Sequence, residues 1–172
     1  MHSKGYRDGH VIDDSLYNIN KKRIGIWIKV HEGQKYYYRN VSWIGNSIYN
    51  TQYLSNILNI TKGDVYNSEG TDGKLGLNGK SKQGQTNVRG LYVDNGYLAY
   101  QISADEHVVN GDSVDLDIKM YEGSQFRISN VDFTGNSRTN DHVIRRELET
   151  VPGDLYSESL LIRTYQRLAS MG

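Results

Sequence analysis

Two groups of residues have types that could do chemistry. Gly79-Lys80-Ser81 ends in the manner of a phosphate-binding loop, where glycine amides cradle phosphate oxygens and a lysine reaches the terminal phosphates. Such a loop needs another glycine five places before Gly79, and that position is Lys74; Gly73 and Gly76 sit in the wrong register, and no strong buried strand leads in. The histidines His2, His10, His31, His107 and His142 fall at unrelated points with no paired carboxylate spacing, so they read as surface or turn residues. No catalytic residue, metal site or cofactor is expected. The 14 tyrosines could form a sugar-binding platform, but they also suit pleated, half-buried strand surfaces, which is the reading adopted.

Composition narrows the partners. Lys plus Arg and Asp plus Glu are 20 each, and no segment departs far from neutrality, so nothing is built for nucleic acid. The chain has no cysteine, which excludes disulfides and thiolate metal sites while leaving the compartment open. No apolar run reaches the length of a membrane-spanning helix, and no signal peptide is expected before Gly5.

What must position any function is a repeat. Residues 33–67 match residues 123–157 at an ungapped offset of 90: Glu32-Gly33 with Glu122-Gly123, Asn40-Val41 with Asn130-Val131, Gly45-Asn46-Ser47 with Gly135-Asn136-Ser137, and Gly63-Asp64-x-Tyr66 with Gly153-Asp154-x-Tyr156. One residue out of register, Lys4-Gly5-Tyr6 matches Asn95-Gly96-Tyr97. The chain is a window on a tandem array. It divides into 1–32, the C-terminal half of one module; 33–123, a complete module; and 124–172, the N-terminal half of the next.

Within a module the periodicity changes in a set order. Tyr36 to Ile44 is aromatic and β-branched and closes at Gly45-Asn46, which predicts a strand and a turn. Ser47 or Asn50 can cap a helix carrying Tyr53, Leu54, Ile57 and Leu58, stopped at Lys62-Gly63; Asn140 or Asp141 does the same for Val143, Ile144 and Leu148. A second helix is expected over 87–94, and over 158–170 in the last module. Tyr97 to Val109 alternates loosely. Ser113 to Tyr121 alternates strictly, with Val114, Leu116, Ile118 and Met120 on one face, as Ile24, Ile26, Ile28 and Val30 do in the first half-module. The fold class is α+β: tandem β-α-α-β-β modules, each a three-stranded mixed sheet covered on one face by two helices. Residues 68–85, rich in Gly, Ser, Lys and Gln, read as a mobile insert between the helices.

A unit that opens with an aromatic strand ending in Gly-Asn, stops its first helix at Gly-Asp-x-Tyr, runs into Asn-Gly-Tyr and finishes Tyr-Glu-Gly resembles the POTRA domain. Three in succession resemble the periplasmic arm of the BamA family of outer-membrane protein assembly factors. The likeness covers the chain apart from Ser68–Gln85, and Asp141-x-Val143-Ile-Arg145-Arg146-Glu147-Leu148 looks most like the barrel-proximal copy.

The resemblance implies a non-enzymatic scaffold at the periplasmic face of the outer membrane. Its parent would be anchored by a C-terminal β-barrel, and its partners would be unfolded outer-membrane proteins and accessory lipoproteins. It implies client binding by β-augmentation, with an extended segment adding itself to a sheet edge. By the family's layout the second strand is that edge, so Ala99, Tyr100, Gln101, Ile102, Ser103 and Ala104 are candidate client-binding residues. Arg145 and Arg146 match the family's lipoprotein-docking helix, although Pro152 stands where the family can carry a docking acid. Asn40-Val-Ser42 and Asn59-Ile-Thr61 fit glycosylation sequons that would be idle in a bacterial protein. The two-partner secretion transporter and the division protein of the same fold carry fewer modules; an extracytoplasmic glycan- or peptidoglycan-binding array is the alternative from another class, and would need Tyr36, Tyr37, Tyr53 and Tyr92 on one surface. The half-modules are complementary, so a polypeptide of this window alone is expected to swap halves between molecules.

Overall fold

The computed structural model describes residues 4–78, 87–136 and 140–170. The elements in chain order are β1 (His10–Asn20), β2 (Arg23–His31), β3 (Tyr37–Ile44), α1 (Thr51–Leu58), α2 (Ser68–Leu75), α3 (Val88–Val93), β4 (Gln101–Val109), β5 (Ser113–Tyr121), α4 (Asp141–Arg146) and α5 (Glu158–Ser170). β1 and β2 form an antiparallel ribbon; β3, β5 and β4 form a mixed sheet in that order, with β3 parallel and β4 antiparallel to the central β5.

The strict alternation of β5 is explained by its place. A central strand covered on one face needs one apolar side, and Val114, Leu116, Ile118 and Met120 are all buried beneath the helices. Leu54 and Leu58 of α1, and Val88 and Tyr92 of α3, pack in one core with them. Each fully buried aliphatic contributes about 1.5–3 kcal/mol. Asn50 caps α1 through the Tyr53 amide at 2.8 Å, and Asn87 caps α3 through the Gly90 amide at 2.6 Å.

The stretch expected to be a mobile insert contains a helix. Asn67 accepts from the Gly70 amide at 2.8 Å and starts α2, whose Thr71 and Leu75 are buried; the Tyr38 hydroxyl shares a 2.6 Å hydrogen bond with Thr71. Two inward side chains one turn apart suffice to anchor a helix that Gly70 and Gly73 make intrinsically weak. Residues 79–86, including the loop-like Gly79-Lys80-Ser81, lie outside the described residues.

The flanking units differ from the central one. Along β2, Ile24, Ile26 and Ile28 lie 54–63% exposed, with Leu16 of β1 opposite Ile26 and Val11 opposite Val30, so the ribbon shows an uncovered apolar face. Residues 128–134 lack a strand: the segment is held by an isolated Arg127–Leu155 bridge and, among the described residues, has no neighbouring ladder to join.

Candidate functional site

The sheet has two outer strands, and they are not equivalent. The start of β3 is plugged by the Gly63-Asp64-Val65-Tyr66 turn: Tyr38 donates to the Asp64 carbonyl at 2.9 Å, Gly63 to the Tyr38 carbonyl at 2.7 Å, and Tyr66 to the Tyr36 carbonyl at 2.9 Å. The repeated motif does the same work in the next unit, where Ile128 donates to Asp154, Gly153 to Ile128 and Tyr156 to Phe126 at 2.8–3.0 Å. Among the described residues no main-chain hydrogen bond reaches β4 from outside its hairpin with β5. Alternate amides and carbonyls of β4 therefore face away from the sheet, unpaired within the described chain.

Of the residues named from the sequence, Gln101, Ile102, Ser103 and Ala104 begin this strand, while Ala99 and Tyr100 precede it. Tyr100 is 8% exposed, its ring stacked on Tyr92 with centroids 4.3 Å apart, and its hydroxyl is buried without a hydrogen-bond partner. Tyr100 is thus a core residue. The strand runs on to Val109, the end expected from the sequence, so the edge continues past the named residues through Asp105, Glu106 and His107.

Those three residues set the electrostatics of the edge. On the helix side, Glu106 accepts from the Tyr66 hydroxyl at 2.8 and 2.9 Å and meets Arg7 at 3.4 Å. Burial, reinforced by this carboxylate, pushes the Tyr66 hydroxyl up to about 12. On the open face Asp105 stands directly opposite Asp117, and His107 opposite Asp115. Neighbours stabilise the carboxylates: Lys119 donates to Asp105 at 2.7 Å, the Ser42 hydroxyl donates to Asp117, His107 lies 3.4 Å from Asp117, and Arg39 clasps Asp115. The Lys119 hydrogen bond and charge hold the Asp105 carboxyl below its usual range.

Two junctions fix this sheet within the array, and they share one design. The Tyr36 amide donates to the Gly5 carbonyl at 2.9 Å, and the Phe126 amide to the Gly96 carbonyl at 2.8 Å. Both glycines have positive φ, +92° and +89°, and a Cβ on either would meet the next unit, at Val65 Cγ1 (2.7 Å) or at the Phe126 carbonyl oxygen (2.8 Å). Side chains then individualise each joint. At the first, the Tyr36 hydroxyl donates to Asp8 at 2.5 Å. At the second, Asp94 accepts from the Ser159 amide at 2.8 Å and the Ser157 hydroxyl at 3.0 Å, capping α5, and Arg89 pairs with Glu158 at 2.7 Å.

Glu122 is the functional-looking residue that sequence reading missed, having treated it only as a boundary. It is buried, accepts from the Ser47 amide at 2.9 Å, the Ile48 amide at 3.0 Å and the Tyr92 hydroxyl at 2.7 Å, and is bonded by the Ser47 hydroxyl. Burial opposes its charge, but these donors outweigh it and hold the carboxyl below its ordinary value. The repeat of Glu-Gly with Gly-Asn-Ser was the available signal.

Arg145 and Arg146 lie exposed at the end of α4, with the Arg145 guanidinium 5.0 Å from the Phe133 ring centroid. Tyr36 and Tyr92 are buried, so only Tyr37 and Tyr53 of the four platform tyrosines reach solvent. Among the described residues no helix is long and apolar enough to cross a membrane.

The POTRA model, described as a surface antigen variable number repeat, matches residues 36–123 and 126–172. Two curated relatives are outer membrane protein assembly factors BamA: that of Neisseria meningitidis is 26% identical over 175 residues, covering 99% of this chain, and that of Neorickettsia risticii is 24% identical over 170 residues, covering 98%. The chain spans only about a fifth of the length of these relatives, 20% and 22%. The crystal structure of POTRA domains 3–5 of Haemophilus influenzae BamA superposes with a TM-score of 0.71 at 17% identity, covering 99% of this chain and 65% of that one, and shares its fold. The two matched stretches, the repeated junction and the mixed sheet agree: the chain is a POTRA array of the BamA family.

Proposed function

We propose that this array is a non-enzymatic periplasmic arm of an outer-membrane β-barrel assembly factor, receiving unfolded outer-membrane proteins by strand addition at β4. The observation that carries the reading is the asymmetry of the sheet, with β3 plugged at its start by residues 63–66 and β4 open along its length. Main-chain pairing accepts clients of many sequences, because the backbone groups of an edge recognise another backbone rather than particular side chains. The relatives' names support the process. In this reading residues 1–32, 33–123 and 124–172 belong to three successive modules, the parent chain ends in a membrane barrel, and Arg145 and Arg146 offer a cationic face to an accessory lipoprotein.

The test uses the full-length parent in its own membrane, with a photo-crosslinking amino acid at Ser103 or, as control, at Ser42. Crosslinks from Ser103 to newly exported outer-membrane proteins are expected. Crosslinks from Ser42 alone, or from neither, would overturn the assignment of β4.

A further inference from the structure

We infer that the β4 edge discriminates by charge, accepting extended segments that place a cationic side chain beside Asp105 and disfavouring those that place an acid there. The inference rests on strand addition at β4 and adds to it a class of client segment. The argument starts from the transverse rows of the sheet. Across the open face, Ser42 of β3 pairs with Asp117 of β5, and Asp117 with Asp105 of β4. The row therefore ends in two carboxylates directly opposite each other, an arrangement that costs free energy in a sheet.

Its compensation comes from neighbours, Lys119 on Asp105, and the Ser42 hydroxyl and the His107 ring on Asp117. None lies on the outer side of Asp105, where an added strand would put its next side chain. A lysine or arginine there extends the row acid, acid, base; a glutamate makes three acids in line. The rows on either side are less demanding: Ser103 is opposite Lys119, and His107 opposite Asp115, which Arg39 already holds. On the helix-side flank Glu106 is committed to Arg7 and Tyr66, so that flank offers no comparable preference. The occupant is thus an alternating strand with apolar residues toward Ile102, Ala104 and Val108 and a basic residue on its polar face.

Binding of two peptides to the whole 172-residue polypeptide tests this. Both alternate valine and threonine; one carries two lysines on the polar face, the other two glutamates at the same places. The lysine peptide is expected to bind about two- to fivefold more tightly at low salt, the range of a single cross-strand pair. Asp105→Asn should level the two, Asp105→Lys should reverse them, and added salt should shrink the difference. Equal affinities with both peptides perturbing the amides of 101–109 would overturn the charge preference while leaving the edge itself in use. If neither peptide touches those amides, it is the edge reading that fails.

Discussion

The Phe126 amide donates to the Gly96 carbonyl across 2.8 Å, joining one module to the next through main chain rather than side chains. The Tyr36–Gly5 bond at 2.9 Å repeats it earlier in the chain, so the sequence repeat is also a repeat of the joint. A backbone joint tolerates divergent side chains, and this is why Asp8 with Tyr36 and Asp94 with Ser157 and Ser159 differ while the glycines recur.

Gly96→Ala places a Cβ 2.8 Å from the Phe126 carbonyl in a left-handed backbone conformation. A loss of about 1–2 kcal/mol is expected from the backbone term alone, together with a changed inter-module distance by spin-label spectroscopy. An unaltered distance distribution would show that the joint is set elsewhere.

Glu122→Gln removes the charge that gathers the Ser47 and Ile48 amides and the Tyr92 hydroxyl. Its cost at neutral pH should be on the order of 2 kcal/mol, as for hydrogen bonds to a buried charge. Because the folded carboxyl titrates below its unfolded value of 4.5, its contribution is full above that pH and is lost as pH falls through the folded value. Denaturant melts should therefore show the parent losing its advantage over the glutamine variant in acid. A constant gap down to the lowest pH at which both fold would contradict this.

Much of this architecture is legible in residue order, and the failures have physical causes. The alternation Val114, Leu116, Ile118, Met120 announces a strand covered on one face, and the Asn50 cap marks the start of α1. α2 escapes because Gly70, Gly73 and Thr71 give it almost no helical preference; only the Asn67 cap and the buried Leu75 betray it, and burial is a tertiary fact. Tyr100 falls among the expected edge residues because the family's layout makes the second strand the edge, and the loose alternation does not show that the strand begins only at Gln101. Its stacking on Tyr92 depends on a turn that periodicity cannot see.

Leu75→Ala tests the reassignment of that segment. A fully buried leucine lost to a cavity costs about 2–5 kcal/mol, far more than trimming a solvated linker would. A change in unfolding free energy below about 1 kcal/mol would return the segment to linker status.

Tyr100→Phe should leave stability unchanged or raise it slightly, since the deleted hydroxyl is buried without a hydrogen-bond partner. Thermal unfolding gives the answer, and a clear loss of stability would reveal a bond that this hydroxyl makes.

Strand addition at β4 is most directly tested by amide hydrogen exchange of the labelled array with and without an extended peptide of alternating apolar and polar residues, such as a barrel strand presents. The account predicts new protection at alternate amides between Gln101 and Val109, those facing away from β5, with β3 unchanged. Protection appearing along Val41–Ile44 or the β1–β2 ribbon, with β4 exchanging as before, would contradict it.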